Sequence, residues 1–148
     1  MLHTPVMDPS TGDLIGWAIS VEWHNRGVTR TKNLRSTISV RRFVPDLPDD
    51  FGFASDAKVE PVMILLEANA PMQTGGVFVA ITEFEKALAG DGKVYAWGGV
   101  TYNDVFDGTP EHRTVFCVVV EPNGPEFKNS KSGNPFGFSV YRKNNTGD

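Results

Sequence analysis

The chain has 148 residues, 40% of them hydrophobic and 22% charged, which suits one domain with enough apolar surface to offset the entropy of ordering it. A net charge of −4 and a pI near 5.3 exclude wholesale neutralisation of phosphates, so nucleic acid is not an expected partner. Cys117 is the only cysteine, which rules out an internal disulfide and thiolate-rich zinc sites, and no apolar run approaches the roughly 18–20 residues of a membrane-crossing helix.

Met1–Ser10 contains Asp8, Pro5 and Pro9 and lacks the basic and apolar regions of a secretory signal, and residues 1–12 are expected to be rich in loops. Between Asp13 and His24, Trp17, Ile19, Val21 and Trp23 alternate with Ala18, Ser20, Glu22 and His24, the period of one long strand with a single buried face. Asn25-Arg26-Gly27 supplies turn chemistry. A second alternation follows, Leu34, Ser36, Ile38 and Val40 against Arg35, Thr37, Ser39 and Arg41, as a hairpin partner or after a crossing between sheets. Pro45, Pro48, Asp49 and Asp50 break regularity before Val59–Leu66, a run too apolar for an edge strand and so expected inside the core.

Pro71–Gly76 reads as a loop, and Val77, Val79 and Ile81 as a short strand. Thr82–Gly90 reads as a short helix, with Thr82 placed to cap it, acidic residues in the first turn and Gly90 where a left-handed C-terminal residue is wanted. Lys93–Tyr102 and Glu111–Val120 form two long strands joined across Asp107-Gly108, a strong turn signal. Inside the first of them Gly98-Gly99 marks a bulge or a close backbone approach. Residues 123–148 are loop-rich, with Phe127, Phe136, Phe138 and Tyr141 expected to pack back onto the core and a final strand at Phe136–Arg142.

About seven strands at short spacing, one small helix and no βαβ alternation define an all-β domain spanning 1–148. The expected architecture is an immunoglobulin-like two-sheet antiparallel sandwich with one short helix in a crossover, a small barrel being the alternative. Asp91-Gly92-Lys93-Val94-Tyr95-Ala96-Trp97 resembles the Asp-x-Gly-x-Tyr-x-Cys start of immunoglobulin strand F. The glycine is displaced by one place and Trp97 takes the cysteine's position, which makes Tyr95 the candidate for a tyrosine corner.

Two segments carry a wider resemblance. One is Trp23-His24-Asn25-Arg26-Gly27-Val28-Thr29-Arg30-Thr31-Lys32-Asn33-Leu34; the other runs from Tyr95 to Cys117 and holds Tyr102, Asp104, Phe106, His112, Thr114, Phe116 and Cys117. They resemble a family of uncharacterised bacterial proteins, common in proteobacteria including rhizobia. In that family an N-terminal membrane segment, often with a helical stalk, precedes a β-sandwich bearing Asn-x-Gly-x-Thr-x-(Ala/Thr) and Tyr-x-Asp-x-Phe…His-x-Thr-x-Phe-Cys motifs. The likeness extends to Ala70-Pro71-Met72-Gln73-Thr74 and to Asn144-Asn145-Thr146-Gly147-Asp148. It implies association with the bacterial inner membrane through a segment absent from this sequence, and Arg30 departs from it by standing where proline is frequent.

Asp104 beside His112 pairs a carboxylate with an imidazole, which can orient a general base or complete a metal site, so a hydrolase or metal-dependent enzyme centred on them is the alternative function. In the structural reading Asp104 and Thr109 bond backbone groups of the turn, while Tyr102, His112 and Thr114 pair across strands. Cys117, between Val115-Phe116 and Val118-Val119-Val120, reads as a buried small hydrophobe rather than a nucleophile. His3, His24 and His112 lack metal-ligand spacing, so neither metal nor cofactor is expected. From Trp23 to Pro45 no acidic residue occurs, while Arg26, Arg30, Lys32, Arg35, Arg41 and Arg42 all fall inside, which suggests a basic face for an acidic protein partner or anionic lipid headgroups. The expectation is a non-catalytic interaction or structural module, the soluble domain of a membrane-anchored protein.

Overall fold

The computed structural model describes residues 1–53, 62–141 and 145–147. Its strands are β1 (Leu2–Met7), β2 (Leu14–Ser20), β3 (Glu22–His24), β4 (Thr31–Phe43), β5 (Val62–Leu66), β6 (Pro71–Gln73), β7 (Val77–Ala80), β8 (Lys93–Asp104), β9 (His112–Pro122), β10 (Phe136–Val140) and β11 (Thr146–Gly147). One helix, α1 (Ile81–Leu88), connects β7 to β8. The strands form an antiparallel six-stranded sheet in the order β10-β9-β8-β4-β5, with β11 also on β9, a three-stranded sheet β1-β2-β7, and a two-stranded sheet β3-β6. This is an all-β sandwich with its short helix in the crossover between sheets, as the spacing of the strands implied.

Alternation divides the large sheet into two apolar faces. Ile38, Val94, Ala96 and Val120 meet Trp17, Ile19 and Val79 of the three-stranded sheet, and Phe84, Phe127 and Phe136 close the layer. The opposite face carries Tyr95, Trp97 and Cys117 beneath Leu47, Phe43 and Phe51. Thus the connection after β4, together with Tyr141, covers what would otherwise be an exposed apolar sheet. A third cluster, Leu34, Leu66 and Val100, lies at one end of the large sheet beside Trp23 and Met72 of the small β3-β6 sheet. Apolar residues of the first alternation and of the hairpin strands are accordingly distributed: Trp17, Ile19, Val21, Phe116 and Val118 join the main layer, Val100 and Tyr102 join the third cluster, and Trp23 touches both.

Several local expectations are corrected. The strand read from Asp13 to His24 is broken after Ser20, because β2 pairs with β1 and β7 whereas β3 leaves to pair with β6. Val21 marks the change of sheet: its N–H bonds the Thr74 hydroxyl at 3.1 Å and its carbonyl accepts the Thr74 N–H at 3.0 Å. The N-terminal segment contributes a strand, β1, although Pro5 interrupts its donors; Pro5 is tolerated because β1 is an edge. The start of Val59–Leu66 lies outside the described residues, and Val62–Leu66 is the end strand of its sheet rather than an interior one. Segment Pro71–Gly76 begins with β6.

α1 follows β7 directly, so its N-cap is Ala80 without a side-chain cap, and Thr82 falls within the first turn. Its C-terminus ends as expected. Gly90 (φ +85°) donates to Ala87 O at 3.0 Å and Asp91 donates to Lys86 O at 2.9 Å, the paired bonds of a Schellman motif. Arg42 Nε holds Glu83 at 2.7 Å and Lys86 Nζ holds it at 2.8 Å, and these two cations keep the Glu83 carboxyl below its ordinary range. The hydroxyl of Tyr95 donates to the Asp46 carboxylate, not to a backbone group upstream as a tyrosine corner would. Lys93 Nζ grips the same carboxylate at 2.8 Å and draws its pKa down.

Cys117 is 0% exposed and faces Trp97 across the β8–β9 ladder, and burial pushes its thiol up to about 11. Cys117→Ser should therefore lower stability by about 1–3 kcal/mol, since a hydroxyl replaces an apolar thiol in an apolar site. The folded wild-type thiol should resist iodoacetamide at mildly alkaline pH; rapid alkylation before unfolding would contradict its placement.

Candidate functional site

Both segments singled out by resemblance converge at one end of the sandwich. In the β8–β9 hairpin, Tyr102 stands opposite His112, and the two rings stack with centroids 5.1 Å apart and planes 23° from parallel. His112 Nε2 lies 3.3 Å from Asp104 Oδ2, which leaves the other carboxylate oxygen uncommitted to His112. Thr109 donates to Phe106 O at 3.0 Å and closes the turn, with Gly108 at φ +80°. Thr114 is opposite Val100 rather than Tyr102. Phe116 packs edge-on to Trp23 at 5.8 Å, and Cys117 points to the other face of the sheet.

The other segment is the loop between β3 and β4. Its organiser is Asn25, whose amide donates to Thr29 O at 2.8 Å and Glu67 O at 3.2 Å while its carbonyl accepts the Gly27 N–H at 2.9 Å. One side chain thus folds the loop and ties it to the β5–β6 connection. β4 then runs beside β8 with Thr31 opposite Asp104. Lys32 Nζ crosses to the hairpin tip, reaching Val105 O at 3.2 Å and Asp107 at 2.8 Å.

Between loop and hairpin lies a cleft of about 440 Å³, within the range of small-molecule sites. Trp23, Leu34, Leu66, Val100 and Tyr102 form its apolar walls, with Thr31, Thr114, Asp104, Asn25 and Arg26 as polar lining. His112 is behind Asp104, outside the lining. The Thr31 hydroxyl is buried and has no hydrogen-bond partner, the only such side chain among the described residues. Leaving a hydroxyl unpaired in this way costs about 1–3 kcal/mol, an expense that draws attention to the polar end of the cleft.

The six basic residues do not form one face. Arg42 is committed to Glu83 and, at 3.2 Å, to Asp91, and Lys32 to Asp107. Arg35 and Arg41 stand on the side of β4 that faces away from the main core, the side shared with Ser39 and Phe43. Arg26 and Arg30 alone share the β3–β4 loop, where both are exposed. Between them Val28 is 93% exposed, and Phe106, at the adjacent hairpin tip, is 62% exposed. These apolar tips, and the cleft itself, escaped sequence reasoning because nothing in the sequence sets the loop beside the hairpin.

Among the described residues no three His, Cys, Asp or Glu side chains are grouped to hold a metal ion. The fold and site define an antiparallel β-sandwich with an exposed apolar side chain on each of two loops, two exposed arginines on the β3–β4 loop, and an open cleft at one end. No protein-family model, curated protein or solved structure matches the chain.

Proposed function

We propose that this domain is a non-catalytic interaction module of the bacterial envelope that docks on an anionic membrane surface through the end bearing the β3–β4 loop and the hairpin tip. The carrying observation is the pairing of two protruding apolar side chains, Val28 and Phe106, with Arg26 and Arg30 in a chain whose net charge is −4. Apolar tips enter the headgroup boundary while the guanidinium groups meet anionic headgroups, each basic residue near such a surface contributing about 1 kcal/mol. No helix among the described residues is long and apolar enough to cross a membrane, so contact of this kind would be peripheral to any anchor. The resemblance to membrane-anchored bacterial proteins supports the same reading.

Vesicle co-sedimentation tests it. Phosphatidylglycerol vesicles should bind the protein, phosphatidylcholine vesicles should not, and binding should weaken as salt shortens the screening length below about 8 Å. The double variant Val28→Asp, Arg30→Gln should lose most of this binding while its melting temperature stays close to that of the parent, because both positions are exposed. Equal binding by the variant and the parent would eliminate this end of the sandwich as the docking face.

A further inference from the structure

We infer that the cleft beneath the β3–β4 loop binds a small zwitterion with an apolar body, the chemistry of a free hydrophobic amino acid. The inference does not rest on membrane docking, although Arg26 is common to both readings. Two side chains of opposite charge, Asp104 and Arg26, line one cleft without forming an ion pair with each other or, for Arg26, with any other described residue. Asp104 is held from outside the cleft by His112, itself steadied by stacking on Tyr102, so its carboxylate is oriented and one oxygen remains for a ligand. An ammonium group has three donors and no acceptor. The Asp104 carboxylate takes one donor as a charge-assisted bond, and Thr31, directly opposite in register with its hydroxyl unpaired, supplies a neighbouring acceptor once it turns about its side-chain torsion.

The rest of the cleft suits the remainder of such a ligand. Arg26 is exposed at the mouth and presents a fork of donors matched to a carboxylate. Leu34, Leu66 and Val100 offer an apolar floor, and Trp23 and Tyr102 offer ring surfaces. Trp23 is fixed in place by its Nε1–H bond to the Ser36 hydroxyl at 2.7 Å, so the wall is formed before a ligand arrives. Of the other titratable side chains on the lining, Tyr102 stacks on His112, and His24 is exposed and engaged with Glu22 at 2.6 Å.

Tryptophan fluorescence provides the readout, since Trp17 and Trp97 are 1% exposed and only Trp23 lines the cleft. Titration with L-phenylalanine and L-leucine should give saturable changes. Phenethylamine, lacking the carboxylate, and hydrocinnamate, lacking the ammonium, should each bind about tenfold more weakly than L-phenylalanine. Asp104→Asn should weaken L-phenylalanine and phenethylamine but not hydrocinnamate. Arg26→Gln should weaken L-phenylalanine and hydrocinnamate but not phenethylamine. This crossed pattern cannot arise from misfolding, which would reduce all three together, and calorimetric unfolding of both variants checks that they are folded. The proposal is overturned if neither amino acid binds saturably up to its solubility, or if folded Asp104→Asn and Arg26→Gln bind L-phenylalanine as the parent does. Failure of vesicle binding alone would leave it standing.

Discussion

Trp17→Ala should lower the unfolding free energy by about 3–5 kcal/mol, the range for removing a large aromatic ring from a close-packed core. Trp17 is 1% exposed, lies between the two larger sheets, and meets Phe136 edge-on at 5.4 Å and His3 at 5.5 Å. Its Nε1–H also donates to Phe127 O at 2.7 Å, a bond between residues 110 positions apart that fastens the 3₁₀ turn Gly124–Lys128 to β2. Truncation leaves both a cavity and an unpaired buried carbonyl. Domains of this size have only about 5–15 kcal/mol of stability, so the urea midpoint should fall steeply. Trp17→Phe keeps most of the ring and removes the donor, and should cost about 1–3 kcal/mol. A midpoint for Trp17→Ala within experimental error of the parent would refute the placement of this residue as the centre of the core.

Gly98→Val should cost about 3 kcal/mol or more, or prevent folding altogether, for a different reason. Gly98 is in the middle of β8, between Ile38 of β4 and Phe116 of β9, with unbroken register on either side. A Cβ there would lie 2.1 Å from Thr37 O and 3.0 Å from the Ile38 Cα. The obstacle is backbone, so no rotamer change relieves it, and the β4–β8 ladder at the centre of the sheet must open. Gly98→Ala isolates the clash without the branched side chain. Gly75→Ala is the control, since nothing lies within 4 Å of its Cβ position, and it should change stability by no more than about 0.5 kcal/mol. Circular dichroism and urea unfolding of the three variants measure the contrast. Similar midpoints for Gly98→Ala and Gly75→Ala would mean that β4 and β8 do not approach as closely as described.

The glycine pair shows how far local reasoning reaches. A Gly-Gly step within a strand pattern signals either a bulge or a close backbone approach, and only the continuous pairing of Gly98 and Gly99 with β4 and β9 selects the second. In the same way, the alternation of Lys93–Tyr102 and Glu111–Val120 around Asp107-Gly108 sufficed to locate the hairpin, because strand period and turn chemistry are both short-range properties. Gly90 at the end of α1 was legible for that reason too. Thr82 does not cap the helix, because β7 runs into α1 without a loop and the N-cap falls on Ala80, while Phe84 of α1 packs against Phe127 and Phe136.

The amino-acid sequence by itself determined the antiparallel β class, the short crossover helix, the hairpin and the burial of Cys117, all of which follow from residue periodicity, turn residues and apolar neighbours within about ten positions. Tertiary structure decided which strands are neighbours. Breaking the first long alternation at Val21 creates the small β3-β6 sheet, and the pairing of Thr31 with Asp104 brings the β3–β4 loop against the hairpin. The cleft, the separation of Arg26 and Arg30 from Lys32, Arg35, Arg41 and Arg42, and the joint exposure of Val28 and Phe106 all depend on that pairing. Register between strands distant in sequence is selected by how whole faces bury one another, so no single stretch of the chain contains it.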